Sequence, residues 1–438
     1  MMKKRRLGVV LALFATTALL ASACSSSGSG NSGSTQSASG LYQHPVTLTW
    51  WNNQNTAGPL KTYWQKVADD FHALHPTVTV KITAVETNDL QRNKIPAALL
   101  SGNPPDILQA WGGGETAEQV QAGYLKDITA DTKSEVADIG AAASIWAVNG
   151  KQYGLPYDFG VEGFWYNKNL FTQAGITSPP VTMDDLTADI AKLKAINTVP
   201  VAVGAGDKWP AGHWWYNFAL RECTASTLAS ASTDQKFDDP CFVKAGQDLQ
   251  TFLATKPFQA NFLATSGQVG ANSSAGLVAN GKAAMELMGS WDGGVMGPLT
   301  PTKTEPTFLG WFPFPSVAGA GGNQTAQMGG GDGFACSKNA PAECVEFLKY
   351  LVSPSVQQGF AGTGAGIPVT KGAEAGLSDP VLKTIAQAQQ QASAEQLWLD
   401  TSFGATAGTA MNDAIVAIFA GKGTPQGVVD ALKKATAR

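Results

Sequence analysis

Three short apolar runs, separated by one helix-like segment after another, constrain this chain most. Val46-Thr47-Leu48-Thr49-Trp50-Trp51 alternates and is β-branched and aromatic, which predicts a strand. Leu60, Trp64, Val67, Phe71 and Leu74 recur at three- and four-residue spacing, which predicts a helix closed by His75-Pro76. Val78, Val80 and Ile82 alternate in a second strand, and a helix is predicted from about Asp89 to Leu100. Asp106 to Ala110 reads as a third, buried strand that ends at Trp111-Gly112-Gly113-Gly114. This βαβαβ order implies an open, mostly parallel sheet, with ligands bound beyond the carboxyl ends of its strands. Two of those ends carry the same kind of side chain: Asn53 and Gln54 in an Asn-rich turn, and Gln109 with Trp111. Amides both donate and accept hydrogen bonds, which suits hydroxyls, and an indole offers a flat apolar face. Turn chemistry is the competing account of the Asn-rich segment.

The second half of the chain restarts the pattern after YGLPYDFGVEGFWYNKNLF, residues 153–171. That stretch mixes glycines, aromatics and the acids Asp158 and Glu162, as a crossover beside a cleft would. At 438 residues the chain is too long for one ordinary core, so two domains are expected. A helix is predicted from Leu186 to Ile196 and a strand from Val199 to Val203. Trp209, His213, Trp214 and Trp215 then fall in what reads as a Gly/Pro-punctuated loop. Residues 224–240 read as a surface excursion. Residues 281–292 are a strand running into Trp291, and 308–315 (FLGWFPFP) read as a second crossover, because prolines are unlike a central strand. Gly329-Gly330-Gly331-Asp332-Gly333 leads into another strand, and Glu343 to Leu351 is a helix. Residues 363–369 form a third Gly/Pro crossover. Helices over about 380–394, 406–419 and 425–434 close the chain, with Trp398 and Asp400 in the stretch between the first two.

Composition narrows the function. Formal charge is −4, and the four basic residues of segment 1–23 leave −8 from Cys24 onward, so no basic patch points to nucleic acid. Twelve Trp against four His suggest stacking surfaces more than acid–base or metal chemistry, with core packing accounting for about half of the indoles. Lys3–Arg6 and the apolar run Leu7–Leu20 form a signal peptide, since the run falls short of the roughly 20 residues that span a membrane. Leu20-Ala21-Ser22-Ala23-Cys24 resembles a lipobox, with Ala21 where a Leu is usual, and Ser/Gly-rich residues 25–40 read as a flexible tether. Export makes disulfides plausible for the remaining cysteines. Four cysteines allow three pairings; the sequence-local one, Cys223–Cys241 with Cys336–Cys344, is expected, and free thiols are the alternative. No metal-ligand spacing is present, and no cofactor is expected.

In order along the chain, the lipobox, SGNPPDILQAW (101–111), residues 153–171, GKAAMELMGSWD (281–292), GIPVTKGA (366–373) and AGKGTPQGVVDALKKA (420–435) resemble the carbohydrate-binding, maltose-binding-protein-like lipoproteins of ABC importers. The resemblance implies an α/β, two-lobed periplasmic-binding-protein-like fold with three hinge crossovers and a ligand cleft between the lobes. The expected organisation is signal peptide 1–23, lipidated Cys24 and linker 24–44, lobe 1 from 45–157 plus 312–367, and lobe 2 from 158–311 plus 368–438. It implies a monomeric, lipid-anchored head on the extracytoplasmic face of the cell membrane that passes a mono- or oligosaccharide to permease subunits without chemistry. Trp111, Trp291 and Asn53 fall on the family's motifs, whereas Trp50 and Trp51 match packing positions. Gln54, Gln109, Asp158, Glu162, Trp209, Trp214, Asp332, Trp398 and Asp400 are candidates from local chemistry, and Trp215 belongs with them. A faint likeness of QAWGGGE to xylo-oligosaccharide binders suggests that ligand class. A secreted glycoside hydrolase using Asp158 and Glu162, or a non-transport surface adhesin, are the alternatives.

Overall fold

The computed structural model describes residues 40–54 and 58–437. The signal segment, Cys24, the tether through residue 39, and Asn55, Thr56 and Ala57 lie outside the described residues.

The first sheet begins with β1 (Val46–Asn52), whose alternation buries Leu48, Trp50 and Asn52 on one face. β2 (Val78–Ala84) runs parallel to it in register, Val46 opposite Val78 and Asn52 opposite Ala84. β3 (Ile107–Ala110) is parallel to β1 on its other side and wholly buried. The chain later supplies β4 (Gly154–Pro156), β5 (Gly160–Val161), β6 (Gly163–Asn167), β7 (Val199–Ala202), β8 (Ala283–Met288), β9 (Leu309–Pro313), β10 (Gln327–Gly330), β11 (Gly333–Cys336) and β12 (Glu395–Leu397). The first sheet has the order β2-β1-β3-β11-β4, and its last two pairings are antiparallel, so the mostly parallel expectation gives way to a mixed sheet. A second sheet has the order β9-β6-β8-β7, and a third β12-β10-β5. The class is α/β, as expected.

The helix Pro59–Leu74 starts on a proline, which lacks the N–H that a first turn leaves unbonded anyway. It buries Leu60, Trp64, Val67 and Phe71 on the first sheet. Trp64 meets Trp50 edge-on at 5.7 Å and stacks on Phe360 at 5.9 Å. The helix predicted from Asp89 to Leu100 contains a π turn, Leu90–Lys94, before continuing as Ile95–Leu100. Pro96 explains it: with no N–H it cannot take the carbonyl four residues back, and a widened turn absorbs the defect.

Three expectations are corrected. Residues 308–315 do not cross between sheets: Leu309–Pro313 pair antiparallel with β6 from Leu309–Asn167 to Pro313–Gly163. β9 is an edge strand, where a proline's missing donor costs no ladder bond. Residues 312–330 therefore pair with the second and third sheets rather than with the first. Second, Trp209–Glu222 is a helix, not a loop, and everything from Pro210 to Arg221 is buried. A helix apolar on all sides shows no 3.6-residue contrast. Third, the expected excursion holds the helix Ala225–Asp234, which buries Leu228 and Ala231, and Phe237 is buried beyond it.

Three segments do pass side by side between the sheets. Residues 156–160 link β4 to β5, and residues 330–333 return from β10 to β11. The third holds Pro368 in a bridge with Asp158, while Phe159 N–H donates to the Ile367 carbonyl at 3.1 Å. Glycine is required at this crossing, because a Cβ on Gly331 would lie 1.7 Å from the Asp158 carbonyl oxygen. The cysteines are bonded as Cys223–Cys241 and Cys336–Cys344. Buried Arg221 ties the 314–326 segment down, donating to the carbonyls of Phe314 (2.9 Å), Pro315 (3.3 Å), Asn323 (3.5 Å) and Ala326 (2.9 Å).

Candidate functional site

A cleft of about 1200 Å³, its open mouth included, lies where these strand ends and crossing segments meet. From the first sheet it receives Asn53 and Gln54 after β1, Trp111 after β3 and Asp332 before β11. Asn52, buried at the end of β1, accepts the Gln54 N–H at 3.0 Å and folds the turn back. The Gln54 amide then donates to Asn53 Oδ1 at 2.9 Å. After Trp111, Gly112 and Gly113 take φ of +79° and +58°, which non-glycine residues rarely adopt. A Cβ on Gly113 would lie 2.5 Å from Leu397, and one on Gly114 2.6 Å from the Ser402 carbonyl. These glycines let the 397–404 segment approach, which brings Trp398 and Asp400 to the same cleft as Trp111.

The crossing segments supply two acids. Asp332 Oδ2 accepts from Tyr157 Oη at 3.2 Å and Asn53 Nδ2 at 3.4 Å. Asp158 accepts the Ile367 N–H at 2.8 Å. Burial raises both carboxyls from the usual carboxylate range, and the Asp332 charge adds to the rise at Asp158. The third acid, Asp400, accepts from Arg92 Nη2 at 3.2 Å and Asn412 Nδ2 at 3.1 Å. Arg92 comes from the π turn, whose Gln91 lines the cleft and donates to Glu115 at 2.8 Å. Burial pushes Glu115 up to about 6 despite Arg92 nearby.

The opposite wall is aromatic. Trp209 and His213 line it from the helix Trp209–Glu222, Trp291 from the end of β8, and Trp398 from beyond β12. Trp291 meets Trp398 edge-on at 5.3 Å, and His213 lies parallel to Trp398 at 6.1 Å.

Nine of the thirteen sequence candidates line the cleft: Asn53, Gln54, Trp111, Asp158, Trp209, Trp291, Asp332, Trp398 and Asp400. Four do not. Trp214 is fully buried between Phe252 (4.5 Å) and Phe164 (5.4 Å), and Trp215 likewise packs against Phe242. Gln109 is fully buried behind the Asp332 side of the cleft. Glu162 is fully buried behind His213 and Trp398. Tyr157, His213, Lys61 and Gln91 line the cleft without having been proposed as ligand contacts. Tyr157 stood beside Asp158 in the motif, so position alone could have found it. Lys61 and Gln91 carry no sequence signal of their own. Among the described residues no group of three or more His, Cys, Asp or Glu is placed to hold a metal ion. Flat indole faces beside carboxylate and amide acceptors suit a ligand with apolar ring faces and a rim of hydroxyls.

Comparison with known proteins gives a consistent picture. The family described as bacterial extracellular solute-binding protein matches residues 57–358. The multiple sugar-binding protein of Streptococcus mutans is 26% identical over 388 residues, covering 85% of this chain and 84% of that protein. A solved structure described with xylan utilisation by Caldanaerobius polysaccharolyticus has a TM-score of 0.81 at 25% identity, covering 89% of this chain and 100% of that one. A chitin oligosaccharide binding protein has a TM-score of 0.80 at 26% identity, covering 89% and 98%.

Proposed function

The chain belongs to the bacterial extracellular solute-binding proteins, non-enzymatic components of transport, and on that premise we propose that it captures an oligosaccharide in this cleft and delivers it to the permease subunits of an ABC importer. One observation carries the reading: four indoles and the carboxyl groups of Asp158, Asp332 and Asp400 converge on a single cleft. Indole faces cover the C–H faces of pyranose rings, and the carboxyl oxygens accept hydrogen bonds from the hydroxyls. Each stacking face takes its own ring, so the several indoles on the cleft walls favour an oligosaccharide over a single sugar. A hydroxyl missing from the wrong sugar leaves a buried acceptor unpaired at about 1–3 kcal/mol, and that penalty sets specificity.

Xylo-oligosaccharides are the ligands proposed, supported by the likeness to the structure described with xylan utilisation. Chitin oligosaccharides are the second reading, supported by the chitin oligosaccharide binding protein at nearly the same TM-score. The first sheet and the second and third sheets act as two lobes. A sugar that touches both favours the closed arrangement by its differential affinity, and the three crossing segments bend. Acylation of Cys24 would keep the head at the membrane.

The test is a thermal-shift and calorimetry panel of xylobiose, xylotriose, chitobiose, chitotriose, cellobiose and maltotriose. A ligand at ~100 times its Kd adds about 2.7 kcal/mol to stability, so a true ligand raises Tm visibly. A response to xylotriose alone supports the first reading, and one to chitotriose alone supports the second. A panel with no response sinks the carbohydrate assignment.

A further inference from the structure

Glu162 is the least explained acid near the cleft. It is fully buried, and among the described residues no lysine or arginine pairs with it. A buried carboxylate is costly unless its oxygens are bonded. Its Oε1 accepts from Asn217 Nδ2. Its Oε2 accepts from Trp398 Nε1 at 3.3 Å and lies 2.5 Å from His213 Nδ1. The contact with His213 is close without being aligned as a hydrogen bond, and among the described residues no other acceptor approaches that nitrogen. Asn217 also donates to the His213 carbonyl at 3.0 Å, one helical turn back, so its amide orientation is fixed. Glu162 is itself held by its backbone N–H, which donates to the Met328 carbonyl at 2.8 Å. One carboxylate thus joins the strand region 160–167, the helix Trp209–Glu222 and the segment carrying Trp398. The two rings it joins are parallel within 6°, and both line the cleft.

We propose that Glu162 is a positioning residue that holds His213 as its Nδ1–H tautomer and Trp398 through the same oxygen, so that His213 Nε2 meets the cleft as an acceptor that selects a ligand hydroxyl donor beside the Trp398 face. The ring nitrogen that faces the ligand is set by the bond the other one makes. The ligand half of this assignment rests on the oligosaccharide reading; the tautomer half does not.

The experiment separates the two halves. The full chain is labelled with 15N-histidine, and its four imidazoles are resolved by two-bond proton–nitrogen correlations, with His213→Gln assigning the signal. Without sugar and near neutral pH, His213 is expected to show a protonated Nδ1 and a bare Nε2. In Glu162→Gln, the fixed Asn217 amide claims the new carbonyl, and the new NH2 turns to His213. The ring is then expected to switch to Nε2–H, and affinity for xylotriose, or chitotriose if that sugar binds, to fall about tenfold. A doubly protonated ring or an Nε2–H tautomer in the unaltered protein overturns the assignment, whether or not Glu162→Gln folds. A Glu162→Gln protein that keeps both tautomer and affinity also overturns it. Absence of any sugar response together with the expected tautomer sinks the oligosaccharide reading and leaves the positioning role standing.

Discussion

His213 and Trp214 are neighbours in sequence, yet one faces the cleft and the other the core. A helix turns each successive side chain by roughly 100°, so adjacent residues cannot share a face. That is why Trp214, singled out for its company of aromatics, packs on Phe252, while His213 reached the wall. The same limit applies to Gln109 and Glu162: composition marks a polar residue near a strand end but not which side of the pleat it takes. The two tryptophan classes should separate in mutants. Trp209→Ala, at a half-buried position on the cleft wall, is expected to weaken sugar binding by about 1–2 kcal/mol, measured by calorimetry, with a smaller loss of Tm than Trp214→Ala. Trp214→Ala is expected to cost about 3–5 kcal/mol of stability, measured by denaturant midpoint, because it opens a cavity in a closed aromatic cluster. Equal effects of the two substitutions on affinity would break the distinction.

At the scale of elements, local periodicity found every strand of the opening βαβαβ unit within a residue or two, because Leu48, Trp50, Val78 and Val80 alternate cleanly. It failed on the helix Trp209–Glu222, where apolar residues on every side erase the pattern, and on β9, where Pro313 disguised an edge strand as a crossing. The true crossing at residues 330–333 was legible as glycines but not as a crossing, since its reason is the backbone of Asp158. Gly331→Ala is expected to force these two segments apart and to lower both Tm and ligand affinity; an unchanged Tm would count against close packing there. The helix Asp292–Leu299 carries a different prediction. Asp292 and Glu286 are buried together, and among the described residues no cation pairs with either. Burial pushes Asp292 up to about 7, and burial with Asp379 nearby pushes Glu305 up to about 8. Carboxyls raised on folding contribute stability that is present below their unfolded values, 3.8 for Asp292 and 4.5 for Glu305, and lost as pH climbs through 7 to 8. The protein is therefore expected to melt higher at pH 5.5 than at pH 8.5, and Asp292→Asn to flatten that slope. A Tm that rises with pH over this interval would contradict it.

Seen whole, the molecule hides its most consequential pairing from any local reading. β3 ends at Ala110, and the strand beside it, β11, begins at Gly333. No pattern near either strand announces the other, which is why the first sheet was expected to be mostly parallel. The ordered motifs supplied the architecture that periodicity could not, and the cleft followed from the strand ends they connect. Buried Arg221 has a similar reach, binding carbonyls roughly 100 residues further along. Arg221→Met leaves those carbonyls without a donor and is expected to cost about 3 kcal/mol or more, read as a lowered denaturant midpoint. A loss below about 1 kcal/mol would show that water replaces the guanidinium.

The distance between β3 and β11 also governs when the molecule comes into being. A ribosome must deliver roughly three-quarters of the chain before Gly333–Cys336 exists to complete the first sheet. Until then that sheet lacks an inner strand, and closing so long a loop is slow. For a protein that acts outside the cell, the order has a consequence: the growing chain cannot complete its first sheet until Gly333–Cys336 has been delivered.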